Sequence, residues 1–407
     1  MIKFILAFLV TLSSYANWQY PQYNPDGEAK DYGNHLDEYH QLSRTGDYAS
    51  DDTLKYYFNR QLWDAETNFQ KYDVQPTGEV TPLKKDLQDF NGVKEELKYT
   101  GLVSYLFYED GKIKVDEKSP DDRFGNMFTD NSPLIANSMG KSMVSYTLGH
   151  AICAGYISGI EERLDYSHLK DTLYDNQRLV DLMAFKAGDQ DYHSKKKSVW
   201  RYSVFDRGFE LKDTKPSANR KHNYNGFVPH IVINYIMSKF KSEEEYKEFL
   251  KTVFPGMENE VWFVKGVKQW KEEDDWRDGW SKASFYASRY DYLRIAKSML
   301  DDWNNNTCVG QYLKDIYKNK EHKGYDVIKA ASPDFVHGST NEYGGFFHFD
   351  YKGYWGSPVV FAMDGYGGQM IWINFDDNRI VVANAIHLSY DWRKIVADVV
   401  KNGLEKW

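Results

Sequence analysis

Clustered positive charge is the first thing missing from this chain of 407 residues. Its 51 Lys and Arg are outnumbered by 60 Asp and Glu, a formal net charge of −9, and the one basic run, Lys195 to Lys197, is too short to make the stripe that nucleic-acid phosphates require. No nucleic-acid partner is expected. After the N-terminus no apolar run reaches the length of a membrane helix, so no membrane span is expected either. There is no His-Glu-x-x-His, no Cys-x-x-Cys, no P-loop and no dinucleotide glycine fingerprint. Neither a metal nor a nucleotide cofactor is therefore expected. Internal repeats and low-complexity tracts are absent as well. Only two cysteines occur. Cys153 follows an apolar helical stretch and Cys308 lies in a polar turn. They could pair in an oxidising compartment, but sequence leaves their proximity open, and a buried free thiol at Cys153 is the expected state.

What remains is ordinary globular composition, 42% hydrophobic and 27% charged, long enough for one large domain or two modest ones. Aromatic content is high, with 32 Tyr and 12 Trp, which suits a lined cleft or, more simply, a tyrosine-rich core and surface. The first residues read as an export signal. Met1-Ile2-Lys3 is a charged start, Phe4 to Leu12 is apolar, and Ser13 to Ala16 supplies small residues for cleavage after Ala16. The expectation is a periplasmic or secreted protein with a signal at 1–16, an N-terminal extension at 17–95 and a main domain at 96–407.

Along the chain a helix is expected around Leu54 to Phe69. Gly101 to Tyr108, Glu109-Asp110-Gly111 and Lys112 to Val115 read as strand, tight turn and strand. From Ser138 to about Phe254 the periodicity is mainly helical, with amphipathic segments at Leu179 to Phe185, Val228 to Phe240 and Glu243 to Phe254. Ser284 to Asp302 reads as a further helix. Gln369 to Phe375 and Arg379 to Ala385 form a second hairpin of largely buried strands, and Trp392 to Leu404 a closing helix. Strands from both chain ends flanking a helical middle imply an α+β fold, an antiparallel sheet with an inserted helical region.

The chemistry concentrates in Asn137-Ser138-Met139-Gly140-Lys141. A serine hydroxyl is a weak nucleophile at neutral pH. A lysine one helical turn away, held in a dry site, can lose enough basicity to take its proton, and the N–H groups of a helix start stabilise developing negative charge. Ser167-x-x-Lys170, Ser194-x-x-Lys197 and Ser238-x-x-Lys241 share the spacing but read as solvated surface or turn.

Residues 100 to 404 resemble the serine beta-lactamase and penicillin-binding-protein superfamily, in particular the beta-lactamase-related branch that includes class C enzymes, esterases and 6-aminohexanoate-dimer hydrolases. The resemblance rests on several phrases in order: Asn137 to Tyr146, Gly155 to Asp165, Leu179 to Gly188, Ala283 to Leu300, and Gly365-Tyr366-Gly367-Gly368-Gln369, which is similar to the Gly-x-x-Gly-Gln phrase of the dimer hydrolases. It implies a beta-lactamase/transpeptidase-like fold. Ser138 would be the nucleophile, Lys141 its base, and the backbone N–H groups of Ser138 and Tyr366 the oxyanion hole. Gly365, Gly367 and Gly368 would let substrate approach the strand. A tyrosine that protonates the leaving group belongs to a Tyr-x-Asn phrase. In His222-Asn223-Tyr224-Asn225 a gapless match puts Asn223 at that place, with Asn225 holding substrate, and a one-residue shift puts Tyr224 there. Tyr224 is the preferred reading, with a phenol pKa lowered by the Lys141 ammonium. Trp355 either lines the cleft or packs within a strand.

The chain departs from the pattern at Met363-Asp364-Gly365, where penicillin-recognising relatives carry a cation. The resemblance thus implies an acyl-enzyme hydrolase of a small amide, ester or peptide. A beta-lactamase, a D-Ala-D-Ala carboxypeptidase, an esterase and a catalytically silent binding protein stand as alternatives, and the oligomeric state is left open.

Overall fold

The structure, a computed structural model, describes residues 51–63, 65, 70–124, 128–188, 220–267, 279–324, 336–351 and 358–404. The signal stretch, Trp355 and the Ser194 motif lie outside them. Besides the short turns Asp121–Phe124 and Val336–Ser339, the helices are α1 (Asp51–Trp63), α2 (Asn91–Tyr99), α3 (Gly140–Cys153), α4 (Leu179–Met183), α5 (Phe227–Met237), α6 (Glu243–Val253), α7 (Arg289–Asn304), α8 (Cys308–Lys318) and α9 (Val399–Asn402). The strands are β1 (Gln70–Val74), β2 (Lys84–Lys85), β3 (Leu102–Glu109), β4 (Lys112–Lys118), β5 (Leu134–Ile135), β6 (Val261–Val267), β7 (Gly279–Ala287), β8 (Glu321–His322), β9 (Thr340–Gly344), β10 (Phe347–Tyr351), β11 (Val360–Gly365), β12 (Gln369–Asn374) and β13 (Arg379–Ala385). This is an α+β architecture.

Nine strands form the main sheet in the order β2-β4-β3-β13-β12-β11-β10-β9-β8. Every pairing in it is antiparallel except β2 with β4. The N-terminal hairpin β3–β4 meets the C-terminal strands through β13, so the sheet is built from both ends of the chain as the sequence implies. Alternation along each strand feeds two cores. Leu106, Phe361, Met363, Ile371, Ile373 and Val382 face the helical region. Tyr105, Phe107, Ala362, Trp372 and Val381 face α2 and the C-terminal helical turns. With both faces covered, the strands read as nearly continuous apolar runs.

A second sheet, β1-β6-β7-β5, was not legible in the sequence. The expected helix from Ser284 is corrected here. Residues up to Ala287 belong to β7, and the helix starts only at Arg289, because Ser288 is its N-cap and accepts from the Asp291 N–H. Arg289 itself is nearly fully buried. Its guanidinium pairs with Asp116 at 2.8 Å and Asp130 at 2.9 Å and donates to Ser104 Oγ at 2.7 Å, tying α7 to the first hairpin. The closing helix also differs, since Arg393–Asp398 is wound as a π segment before α9.

The boundary expected near residue 95 falls inside α2, whose Val93 and Leu97 are buried in the same core as the sheet. Upstream of it, β1 pairs with β6 and β2 with β4. The two cysteines form a disulfide, Cα to Cα 5.8 Å, which corrects the expected free thiol. α8 packs closely on α3, with the Tyr312 and Ser145 hydroxyls 2.7 Å apart. That brings the first residue of α8 to the last of α3.

Candidate active site

Ser138 lies on a short 3-10 turn, Asn137–Met139, that leads into α3. The expectation of a serine on the α-helix itself is thus corrected by one turn. The spacing still works, because residues three apart eclipse in a 3-10 turn. β7 anchors the approach. The Ala136 N–H donates to Phe285 O at 2.8 Å, and a Cβ on Gly140 would lie 2.0 Å from Ala283 O, so only glycine lets the helix mouth press this closely on the strand.

Lys141 Nζ donates to Ser138 Oγ at 2.7 Å. The lysine is only 7% exposed while the serine is half-buried and reachable. Burial disfavours the ammonium and lowers Lys141 to about 7, although the nearby Asp364 charge pulls the other way. Near neutrality a large fraction is therefore free amine, able to accept a proton. Asp364, half-buried on β11, is itself raised to about 7 by desolvation, against the pull of Lys323 and Lys141.

Of the two candidates in the third motif, Tyr224 is the one that meets the serine and lysine together. Its phenol lies near enough to Ser138 for that side chain to act on its pKa, and Lys141 Nζ stands 4.8 Å from its ring centre. The expected lowering of its pKa is corrected, because desolvation dominates and pushes the phenol up. Tyr224 therefore stays protonated at neutral pH, which suits a proton donor. Asn225 has a different task. It is 1% exposed, and its Oδ1 accepts from the N–H groups of Phe227 (2.9 Å) and Val228 (3.0 Å), capping α5, while its Nδ2 donates to Asn223 O.

Behind Tyr224 lies a buried polar wall that no motif announced. Lys323 Nζ donates to His337 O at 2.9 Å and Thr340 Oγ1 at 2.5 Å and sits 3.2 Å from His348 Nδ1. The His337 ring is 4.9 Å from the Tyr224 ring and 5.5 Å from that of His222. Burial, reinforced by the Lys323 charge, lowers His222 to about 3 and holds His337 and His348 well below the usual imidazole range, so all three are neutral. These residues come from separate loops and strands, and no short-range pattern could have joined them. Among the described residues no cluster of His, Cys, Asp or Glu is arranged to hold a metal.

β11 ends beside Ser138. A Cβ on Gly365 would meet Ala136 O at 2.3 Å, so the expected close approach at this glycine is with the protein's own backbone. Tyr366, half-buried, follows in the turn Gly365 to Gly368, which the Gly368 N–H closes by donating to Gly365 O at 3.0 Å. Gly367 and Gly368 are buried in that turn with φ +85 and +90. Asn137 Nδ2 donates to Tyr366 O at 2.6 Å. Met363, the first residue of the Met363-Asp364-Gly365 phrase, is fully buried in the core. Of the other Ser-x-x-Lys sequences, Ser238 Oγ donates to Tyr235 O at 2.6 Å, and Ser167 and Lys170 are exposed.

No protein-family profile and no curated protein matches the chain. Solved structures do. A protein from Bacillus anthracis assigned as a 6-aminohexanoate-dimer hydrolase is 14% identical, with 84% of this chain and 92% of that one covered at a TM-score of 0.56. The chain has the fold of the serine beta-lactamase and penicillin-binding-protein superfamily. D-amino acid amidase from Ochrobactrum anthropi, complexed with L-phenylalanine, is 14% identical over 73% of this chain and 90% of its own, TM-score 0.50. A protein from Bacteroides dorei assigned as a beta-lactamase is 13% identical over 74% and 92%, TM-score 0.50. At these identities the likeness establishes the fold alone. No helix among the described residues is long and apolar enough to cross a membrane.

Proposed function

We propose that this protein is an exported serine hydrolase that cleaves a small amide or ester through an acyl-enzyme. The observation that carries this reading is the 2.7 Å contact of a buried lysine, lowered to about 7, with the hydroxyl of a reachable serine at a helix mouth. Ser138 Oγ attacks the substrate carbonyl as its proton passes to the free amine of Lys141. The N–H groups of Ser138 and Tyr366 hold the oxyanion of the tetrahedral intermediate. Its collapse breaks the bond to the leaving group, which departs with a proton delivered by Tyr224, and the phenol recovers that proton from Lys141. Water then hydrolyses the Ser138 ester by the same groups in reverse order, freeing the acid.

Amides as well as esters are candidate substrates, since an amine leaving group needs a proton and the upward-shifted Tyr224 phenol is protonated and able to supply it. Linear oligoamides and D-amino-acid peptides are the classes to try first, as the names of the fold neighbours suggest. Penicillin-like substrates are disfavoured because Met363-Asp364-Gly365 carries no cation to hold their carboxylate. Export is supported by the N-terminal pattern and by the Cys153–Cys308 disulfide, a bond that persists in oxidising compartments.

The test is covalent labelling of purified protein with a fluorescent fluorophosphonate, followed by a panel of chromogenic esters, amides and nitrocefin. Wild type is expected to label and Ser138→Ala to stay blank with its fold intact. An unlabelled wild type would move the reading to a binding protein on a hydrolase fold.

A further inference from the structure

We infer that Asn137 is a positioning residue for the oxyanion hole, clamping the Tyr366 turn against the nucleophile. The inference rests on the serine-hydrolase reading above and adds a residue to it. The two oxyanion donors belong to chain segments 228 residues apart in sequence, so the gap between their N–H groups is set only by contacts across the cleft. Useful donors stand about 2.7–3.1 Å from the oxygen they stabilise, which leaves little tolerance.

Two contacts bridge that gap. Gly365 lies flat against Ala136 O, where any Cβ would intrude to 2.3 Å, and the Asn137 amide donates to Tyr366 O at 2.6 Å. The residue whose peptide carries the Ser138 N–H thus holds, through its own side chain, the residue that carries the second N–H. The turn needs such a clamp because two glycines with positive φ follow Tyr366, and glycine backbone is the least restrained. At its far end Tyr390 O–H fixes Gly368 O at 2.6 Å. At the end nearest Ser138 the Asn137 amide holds Tyr366 O, beside the Gly368 N–H bond to Gly365 O that closes the turn.

Asparagine also suits the backbone here. Asn137 adopts φ +48, a left-handed conformation that asparagine and aspartate tolerate better than most residues. The two properties can be separated. Asn137→Gly keeps the backbone freedom and deletes the amide, and Asn137→Asp keeps the shape and sets a carboxylate oxygen against the Tyr366 carbonyl.

The experiment measures kcat and KM for a chromogenic substrate, the melting temperature, and inhibition by a boronic acid whose tetrahedral Ser138 adduct places an oxygen in the oxyanion hole. Loss of an entire oxyanion donor lowers kcat about 10²–10³-fold, so misalignment of one should cost roughly 10–100-fold. Both variants are expected to lose kcat on that scale with KM within about threefold of wild type, and boronate affinity should fall in parallel, as for any interaction made in the transition state. The melting temperature of Asn137→Gly should stay close to wild type. Wild-type kcat in both variants, a loss confined to KM, or unchanged boronate affinity would overturn the clamp while leaving the hydrolase reading in place. A wild-type protein that neither turns over nor labels would sink the hydrolase reading first, and the clamp with it.

Discussion

The lowered pKa of Lys141 makes the pH dependence of acylation the sharpest test of the mechanism. An ordinary lysine near 10.5 has about one free amine in three thousand at pH 7, whereas at a pKa of about 7 half the molecules hold one, a difference of roughly 5 kcal/mol between the two protonation states. If the free amine is the general base, kcat/KM should rise by about tenfold from pH 6 to pH 8 and then level off. Asp364 sharpens the argument. Its negative charge favours the ammonium, so Asp364→Asn should move the rise to lower pH and sharpen it, the wild-type limb being broadened by two interacting groups that both titrate near 7. Single-turnover acylation with an activated ester, from pH 5.5 to 10, reads this directly. A rate that climbs tenfold per pH unit up to pH 10 would mean that Lys141 titrates as a normal lysine, and the account of its burial would be wrong.

Lys141→Arg should fall about 10²–10⁴-fold, because a guanidinium gives up no proton. Lys141→Met should be equally inactive yet melt higher than wild type at neutral pH, since folding must strip solvent from a lysine whose charged form burial disfavours; a lower melting temperature would count against a strained, dry lysine. Tyr224→Phe should lower amide turnover strongly and activated-ester turnover little, and equal amide turnover would remove Tyr224 from the proton path. Acid should unfold the protein early. His222 and His348 are buried and neutral in the fold but bind protons when unfolded, so their contribution is intact above pH 6.5 and is lost as pH falls below it, by about 1.4 kcal/mol per histidine per pH unit. Urea midpoints flat from pH 7.5 to 5.5 would contradict that burial.

How far the sequence was legible follows from the range over which each feature is encoded. The Ser138–Lys141 pair needs only one turn of chain, and Glu109-Asp110-Gly111 and Asp376-Asp377-Asn378 need only turn chemistry, so both hairpins and the Ser138–Lys141 contact could be read directly. β7 could not. Its residues from Ser284 onward fit a helical period as well as a strand, and the arbiter was pairing with β6 and β5, which local periodicity does not report. The disulfide joins residues 155 apart and the Asn137–Tyr366 contact residues 229 apart, and even the Lys323 contacts reach across 14 to 25 residues. The resemblance behaved likewise. It located Tyr224 but gave Asn225 to the substrate, although Asn225 is two residues before the first turn of α5 and an asparagine there is claimed by the orphan N–H groups of the helix start. It also left the lowered tyrosine pKa as an expectation about charge, when the larger effect was desolvation, a property of everything packed around the ring. A motif therefore fixes which atoms can react. The protonation states that let them react are set by burial and by the Asp364 charge, which only the completed fold supplies.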